Sequence, residues 1–359
     1  MKIVPDSLLY YHLIVTDFTR PRTFRIFKND RLVSTWVVDV QPTEETSSTG
    51  EVDAWATKAT LYGGMQSGAT PKVEYKKTTE SEWTAVAAAD VRLLSSTSFS
   101  AFVSGLADGT EYEWRITVNG TAGSAATFST EKIAEVPNLN FDTWTQSGKN
   151  WYANPVADNL DDPQAYWASG NEGVTSTLAG SKDPVTEPVS GADAYKGKAA
   201  KLHSLTGVTL VGAAAGNLFI GSYKTNLGNP SASPQFGRPF SGARPTKLRG
   251  YYKYTPMPIT HQGSVPGNLT SDQGHIYLKL WDANGNMFGY GEFVATEKVT
   301  EYKEFEFEVN YTDTKAKPAS ITIVATSSRY GGEFDGAKVC GQVGQGSTLW
   351  IDEFELLYD

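Results

Sequence analysis

Residues 275–282, HIYLKLWD, place three side chains suited to binding at alternate positions: Tyr277, Lys279 and Trp281, with Ile276, Leu278 and Leu280 between them. Successive side chains of an extended strand point to opposite faces, so the aliphatic set would enter a core while the two rings and the ammonium share the other side. The segment LRGYYKY, residues 248–254, repeats the pattern with Arg249, Tyr251 and Lys253. Flat rings beside cationic and planar hydrogen-bond groups suit a ligand with an apolar face and a fringe of hydroxyls, as a sugar ring has. If the two strands adjoin, their rows form one platform, and Arg238, Arg244, Trp167 and Asn171 could complete it from loops. The competing reading is that loops cover this face and its aromatics form a second minor core.

Other chemistries leave fewer traces. There is no Gly-x-Ser-x-Gly nucleophile elbow, no phosphate loop and no pair of histidines at helical metal spacing with a glutamate between. Asp282, Asn284 and Asn286 begin like a calcium loop, but Met287 replaces the required glycine and Phe293 the chelating glutamate, so Asn284-Gly285 reads as a tight turn. His12, His203, His261 and His275 are scattered, which argues against a shared metal site. Glycoside hydrolysis needs only two carboxylates, roughly 5–10 Å apart in space, and sequence does not show that distance. The acidic sets Asp158, Asp161, Asp162 and Glu304, Glu306, Glu308 read as a solvated loop and the wet face of one strand.

The totals bound the rest. A chain of 359 residues exceeds what one core usually serves, and its 40% hydrophobic content gives ample material for two. The net charge of −9 comes without a basic cluster, so nucleic acid is not an expected partner. Cys340 is the single cysteine, which excludes an internal disulfide. No apolar run approaches the roughly 18 residues that cross a bilayer. The start, MKIVPDSLLYYHLIV, breaks at Pro5 and Asp6 and has no small-residue cleavage site, so it does not read as an export signal.

Residues 1–45 read as a β-rich arm or partial domain, with LLYYHLIV, TFRIF and LVSTWVV as strands and Asn29-Asp30 as a hairpin turn. The polar stretch QPTEETSSTG follows as a linker or loop. Short strands at close intervals over 51–133 argue for a small antiparallel sandwich. From 137 to 359 longer alternating strands recur, as in YKEFEFEVNY, where Phe305, Phe307, Val309 and Tyr311 oppose Glu304, Glu306, Glu308 and Asn310. Two stacked sheets cover such faces economically. The expected class is all-β: a small immunoglobulin/fibronectin-like sandwich, then a larger jelly-roll β-sandwich, with no helix beyond three turns.

Three resemblances add to this. GLADGTEYEWRITVNGTAG, residues 105–123, resembles the fibronectin type III pattern, which implies that Tyr112 forms the corner of the sandwich; Trp83, Tyr112 and Trp114 are read as its core. Such modules act as spacers or docking surfaces. NLNFDTW (138–144), GKAAKLHS (197–204) and LWIDEFEL (349–356) fall in the order of jelly-roll carbohydrate-binding modules. That resemblance implies a structural calcium held by Asp142 and Asp352 with backbone carbonyls, against the plainer reading that Asp142 caps a turn and Asp352 points outward. The blocks YWASGNEGV, AAGNLFIGSY, FGRPFSGARPTKLRGYYKY, SSRYGGEFDGA and WIDEFELLY together resemble the putative carbohydrate metabolism domain family of glycan-foraging gut bacteria. The resemblance implies an extracytoplasmic β-sandwich, at the cell surface or secreted, that is linked to sugar use; it supplies no catalytic residues. The expectation is a glycan-binding protein whose partner is an oligo- or polysaccharide. A two-carboxylate glycoside hydrolase, and an adhesin or scaffold that meets other cell-surface proteins, are the alternatives.

Overall fold

The computed structural model describes residues 2–4, 20–39, 47–157, 162–263, 269–335 and 339–359. Within them the regular structure is almost all β-strand, and the one α-helix, α1 (Asn171–Thr175), has five residues. Strands β1 (Lys2–Val4), β2 (Arg22–Lys28) and β3 (Arg31–Val38) form a three-stranded antiparallel sheet. Its β2–β3 turn is Asn29-Asp30, with φ of 49° and 56°, the hand that a two-residue hairpin requires. The expected strand over LLYYHLIV lies outside the described residues.

Residues 47–130 hold two small antiparallel sheets. One pairs β4 (Ser47–Ala54), β5 (Lys58–Met65) and β7 (Ser98–Ser104); the other pairs β6 (Lys72–Lys77), β8 (Glu111–Val118) and β9 (Ala126–Ser129). Period-two alternation in β8 buries Tyr112, Trp114, Ile116 and Val118 against Leu61 and Phe99. The Tyr112 hydroxyl accepts the Ala107 backbone N–H at 2.9 Å and so pins the chain entering β8. Trp83 departs from expectation. It is only half-buried, beneath the Arg115 guanidinium at 4.2 Å, because the adjoining Thr84–Ala85 strand sits at the sheet edge.

The larger part is a sandwich of two antiparallel sheets. In the first, β10 (Trp167–Ala168), β13 (Asn217–Tyr223), β19 (Ser320–Thr326), β15 (Gly274–Trp281), β16 (Met287–Ala295) and β18 (Asn310–Tyr311) lie in that order. In the second, the order is β11 (Thr186–Ser190), β12 (Lys198–His203), β20 (Thr348–Leu357), β14 (Lys247–Thr255) and β17 (Val299–Glu308). The core between them joins Ile276, Leu278 and Leu280 of β15 to Leu248, Tyr252 and Tyr254 of β14 and Ile351 of β20. Burial alternates along both β15 and β14, as period two demands.

That shared core settles the fate of the single platform. Because β15 and β14 belong to opposing sheets, and each sends its apolar set inward, the outward rows must face away from each other. Tyr277 and Lys279 therefore lie on one outer surface, and Arg249, Tyr251 and Lys253 on the opposite one. The β15–β16 turn is the expected Asn284-Gly285 turn: Asp282 Oδ1 accepts the backbone N–H groups of Asn284 (2.9 Å) and Asn286 (2.8 Å).

Candidate functional site

The outer face of the first sheet is roofed by loops that leave a cavity of about 590 Å³. Its floor is made by alternate residues of four adjacent strands: Phe219 of β13, Val324 of β19, Tyr277 and Lys279 of β15, and Tyr290 of β16. Segments 173–179, 208–215, 225–236 and 329–333 form the walls. Phe219, Tyr223, Val324 and Ala168 make a small apolar cluster with Tyr277 packed against it, so the reading of a second minor core holds for this part of the face. Beyond that cluster the surface is open to the cavity. Leu178, Leu210, Leu227 and Phe236 stand exposed around the cavity, drawn from three of these segments.

Polar groups converge on one side of the floor. His275 Nε2 lies 2.8 Å from Glu292 Oε2, and an Arg329 guanidinium nitrogen lies 3.4 Å from the same oxygen. Burial tends to raise the Glu292 proton affinity, but hydrogen bonds from Tyr290 and His275 and the Arg329 charge outweigh it and hold the carboxyl below the usual range. Burial lowers the affinity of His275, which is therefore neutral at pH 7. Tyr290 is pushed up to about 12 by burial and by Glu292, and burial raises Tyr277 as well, so both phenols keep their protons and serve as donors. The two rings lie 6.5 Å apart at 40°, and the Lys279 ammonium sits 5.0 Å from the first centroid and 6.0 Å from the second. Fixed rings, hydroxyls, an ammonium and a carboxylate over an apolar floor can stack on and hydrogen-bond a sugar.

Of the residues singled out from sequence, Tyr277 and Lys279 line this cavity and the others do not. Trp167 is 0% exposed, packed edge-on against Phe141 in the main core, with its indole N–H donated to the Pro137 carbonyl. Asn171 is buried at the start of α1 and fully used: its amide donates to Thr186 and Trp151 carbonyls, and its oxygen accepts from Val185 and Thr186 N–H groups. Arg238 donates to the backbone carbonyls of Gly221 and Ala165, tying the edge of the first sheet. Trp281 shares the face of Tyr277 but stands at the far end of β15, near Gly237, outside the cavity. Tyr251 stacks on Tyr195 at 3.9 Å on the second sheet's outer surface.

Arg244 is the clearest correction. It is 0% exposed and locked between the two sandwiches, paired with Glu131 at 2.8 Å and Asp53 at 3.3 Å, with its guanidinium 3.9 Å over the Trp55 ring. A residue so enclosed reaches no ligand.

Asp142 and Asp352 do approach one another's territory, through the 195–198 loop. Asp352 Oδ2 accepts the backbone N–H groups of Tyr195 (3.0 Å) and Lys196 (2.9 Å), and its Oδ1 that of Glu353 (2.8 Å). Asp142 Oδ1 accepts from Lys198 N–H at 2.7 Å and its Oδ2 from the Asn140 amide at 2.9 Å. Every one of these carboxylate oxygens faces an N–H donor, which a cation repels. Among the described residues no three His, Cys, Asp or Glu side chains converge as metal ligands. The pair as placed fits anchorage of the loop and does not fit the calcium that the resemblance implies. Nor does Asp352 point outward: it is 0% exposed.

The sequence reading passed over Tyr290, Glu292, Phe219 and Arg329. Two of these had a signal. Counting back from the Asn284-Gly285 turn pairs Lys279 with Tyr290 and Tyr277 with Glu292, which places both on the same face.

A two-sheet β-sandwich with an aromatic-floored cavity on one outer face is the class that this fold and site define. The chain belongs to the putative carbohydrate metabolism domain family, which matches residues 140–357. No curated protein matches it. Among solved structures, one described as a putative glycoside hydrolase from Bacteroides thetaiotaomicron is 23% identical, covers 84% of this chain and 86% of its own, and has a TM-score of 0.49. A second so described, from Bacteroides vulgatus, is 24% identical over 64% of this chain and 100% of its own, with a TM-score of 0.48. A structure described under CBM4 structure and function is 11% identical over 63% of this chain and 100% of its own, with a TM-score of 0.27.

Proposed function

We propose that the protein binds saccharides without cleaving them, through the cavity over β13, β15, β16 and β19, as part of carbohydrate acquisition outside the cytoplasm. The observation that carries this reading is the cavity lining, which brings the Tyr277 and Tyr290 rings together with Lys279, Glu292, His275 and Arg329. Membership in a family described by carbohydrate metabolism agrees with it. In this reading residues 137–359 are the binding unit, 51–133 a fibronectin type III-like spacer and 1–45 an accessory arm. Among the described residues no helix is long and apolar enough to cross a membrane. Placement at the cell surface or in secreted form belongs to the proposal.

The hydrolase alternative has less behind it. A two-carboxylate mechanism needs one acid of raised proton affinity beside the cleft. Glu292 and Glu333 both line the cavity, but Glu292 is held low, and the carboxyls that burial raises, Asp272 and Asp352, do not line it. Isothermal titration of oligosaccharides into the wild type and Tyr277→Ala tests the proposal. Truncating a central aromatic should weaken binding about tenfold or more. Release of shorter sugars from the same samples would instead support the hydrolase.

A further inference from the structure

We infer that the saccharide taken by this cavity is acidic, and that its anionic group, a uronate carboxylate or a sulfate ester, pairs with Lys279. The inference rests on the saccharide-binding reading above and adds a charge requirement to it.

Several cations on the outer sheet surfaces of this protein are answered by an acid across the strand pair. Lys201 meets Glu187 at 2.8 Å directly opposite, Lys76 meets Glu113 at 3.2 Å, Arg249 meets Glu355 at 2.5 Å, and Lys247 meets Glu306 at 2.8 Å on the diagonal. Lys279 has no such acid among the described residues, nor has Lys253 on the opposite outer face, and of the two it is Lys279 that lines the cavity. Its direct cross-strand neighbours are Tyr290 on β16 and Thr322 on β19, and no carboxylate of the described residues comes within ion-pair distance of its ammonium. The other cation on this side, Arg329, is engaged with Glu292 and Gln273.

The ammonium lies 5.0 Å from the Tyr277 centroid and 6.0 Å from the Tyr290 centroid, on the floor of a cavity whose walls reduce the screening by water. An anion brought there meets a positioned partner and leaves no buried group of its own without one. Glu333 stands on the cavity lining and is exposed, so the anionic group must enter on the Lys279 side, with the neutral rings of the ligand toward Glu333. Tyr277 and Tyr290 are then left to stack on the sugar that carries the charge.

The test is titration of an oligogalacturonate, a sulfated carrageenan oligosaccharide and a neutral galacto-oligosaccharide of equal length into wild type, Lys279→Gln and Lys279→Arg, at low and high salt. Thermal melting confirms that each variant is folded. The expected result is tighter binding of one acidic ligand than of the neutral one, by about tenfold, the factor associated with a hydrogen bond to a charged group. Lys279→Gln should abolish that preference, Lys279→Arg should largely restore it, and salt should weaken it. The two acidic arms decide between carboxylate and sulfate. Equal or better binding of the neutral ligand, or a preference untouched by Lys279→Gln, overturns the inference while leaving saccharide binding intact. Failure of all three ligands to bind folded wild type overturns both.

Discussion

Asp352 sets burial against charge, its side chain being 0% exposed. Burial raises its proton affinity to about 6, and the backbone N–H groups of Lys196, Glu353 and Tyr195 offset only part of that. A carboxyl whose folded value exceeds its unfolded one takes up its proton first in the folded state. Its contribution to stability therefore grows as pH falls from 7 through about 6 towards the unfolded value near 4, and is lost as pH rises through about 6. Asp352→Asn cannot titrate. Between pH 7 and pH 5 the wild type should gain on this variant by on the order of 1 kcal/mol, read from urea denaturation at the two pH values. A difference between the two proteins that stays constant with pH would show that the carboxyl is solvated as usual. At this scale Tyr277 and Lys279 were legible because alternation fixes a face from neighbouring residues alone. Trp167 and Arg244 were not, since their burial is decided by partners far away in sequence, Glu131 lying 113 residues from Arg244.

Strands were the most legible elements, and the loops between them the least. The alternation in HIYLKLWD and YKEFEFEVNY is enforced by a core on one side and water on the other, so it survives without knowledge of the partner strand. Which sheet each strand joins is a non-local matter, and that is where the single-platform expectation failed. The cavity walls show the same limit. The hairpin of Leu205–Val208 and Gly212–Ala214 forms one wall, and nothing local announces that its turn packs against His261. Gly212 has φ of +82°, and a Cβ there would lie 2.5 Å from the His261 ring. Gly212→Ala should therefore cost about 1–3 kcal/mol through strain and collision. Chemical denaturation checks the cost, and an unchanged midpoint would mean that the hairpin shifts freely.

At the scale of the whole molecule, two hydrophobic clusters, one centred on Trp114 and one on the facing sheets, are joined by a compact polar junction. Arg244 reaches across it to Glu131, Asp53 and the Thr314 carbonyl under the Trp55 ring, while Lys317 also pairs with Glu131 and Trp55 meets Tyr311 edge-on at 5.2 Å. Removing a fully buried partner leaves the facing charges uncompensated, so Arg244→Ala should destabilise the junction by on the order of 3 kcal/mol. Calorimetry should then show the two sandwiches melting separately, where the wild type melts with them coupled; an unchanged profile would show that the junction carries no coupling. The all-β class, the two sandwiches and the family were all readable in the sequence, because alternation and motif order extend over long stretches. The junction was not, since it consists of side chains brought together only by the finished fold.

Two outer faces carry aromatic rings, Tyr277 on the first sheet and Tyr251 on the second, and the ligand meets one of them. Titrating an oligosaccharide that binds the wild type into Tyr277→Ala and Tyr251→Ala decides which. Binding in the cavity requires that Tyr277→Ala loses most of the affinity and Tyr251→Ala keeps it. Loss with Tyr251→Ala and full affinity with Tyr277→Ala would place the ligand on the opposite sheet and contradict it.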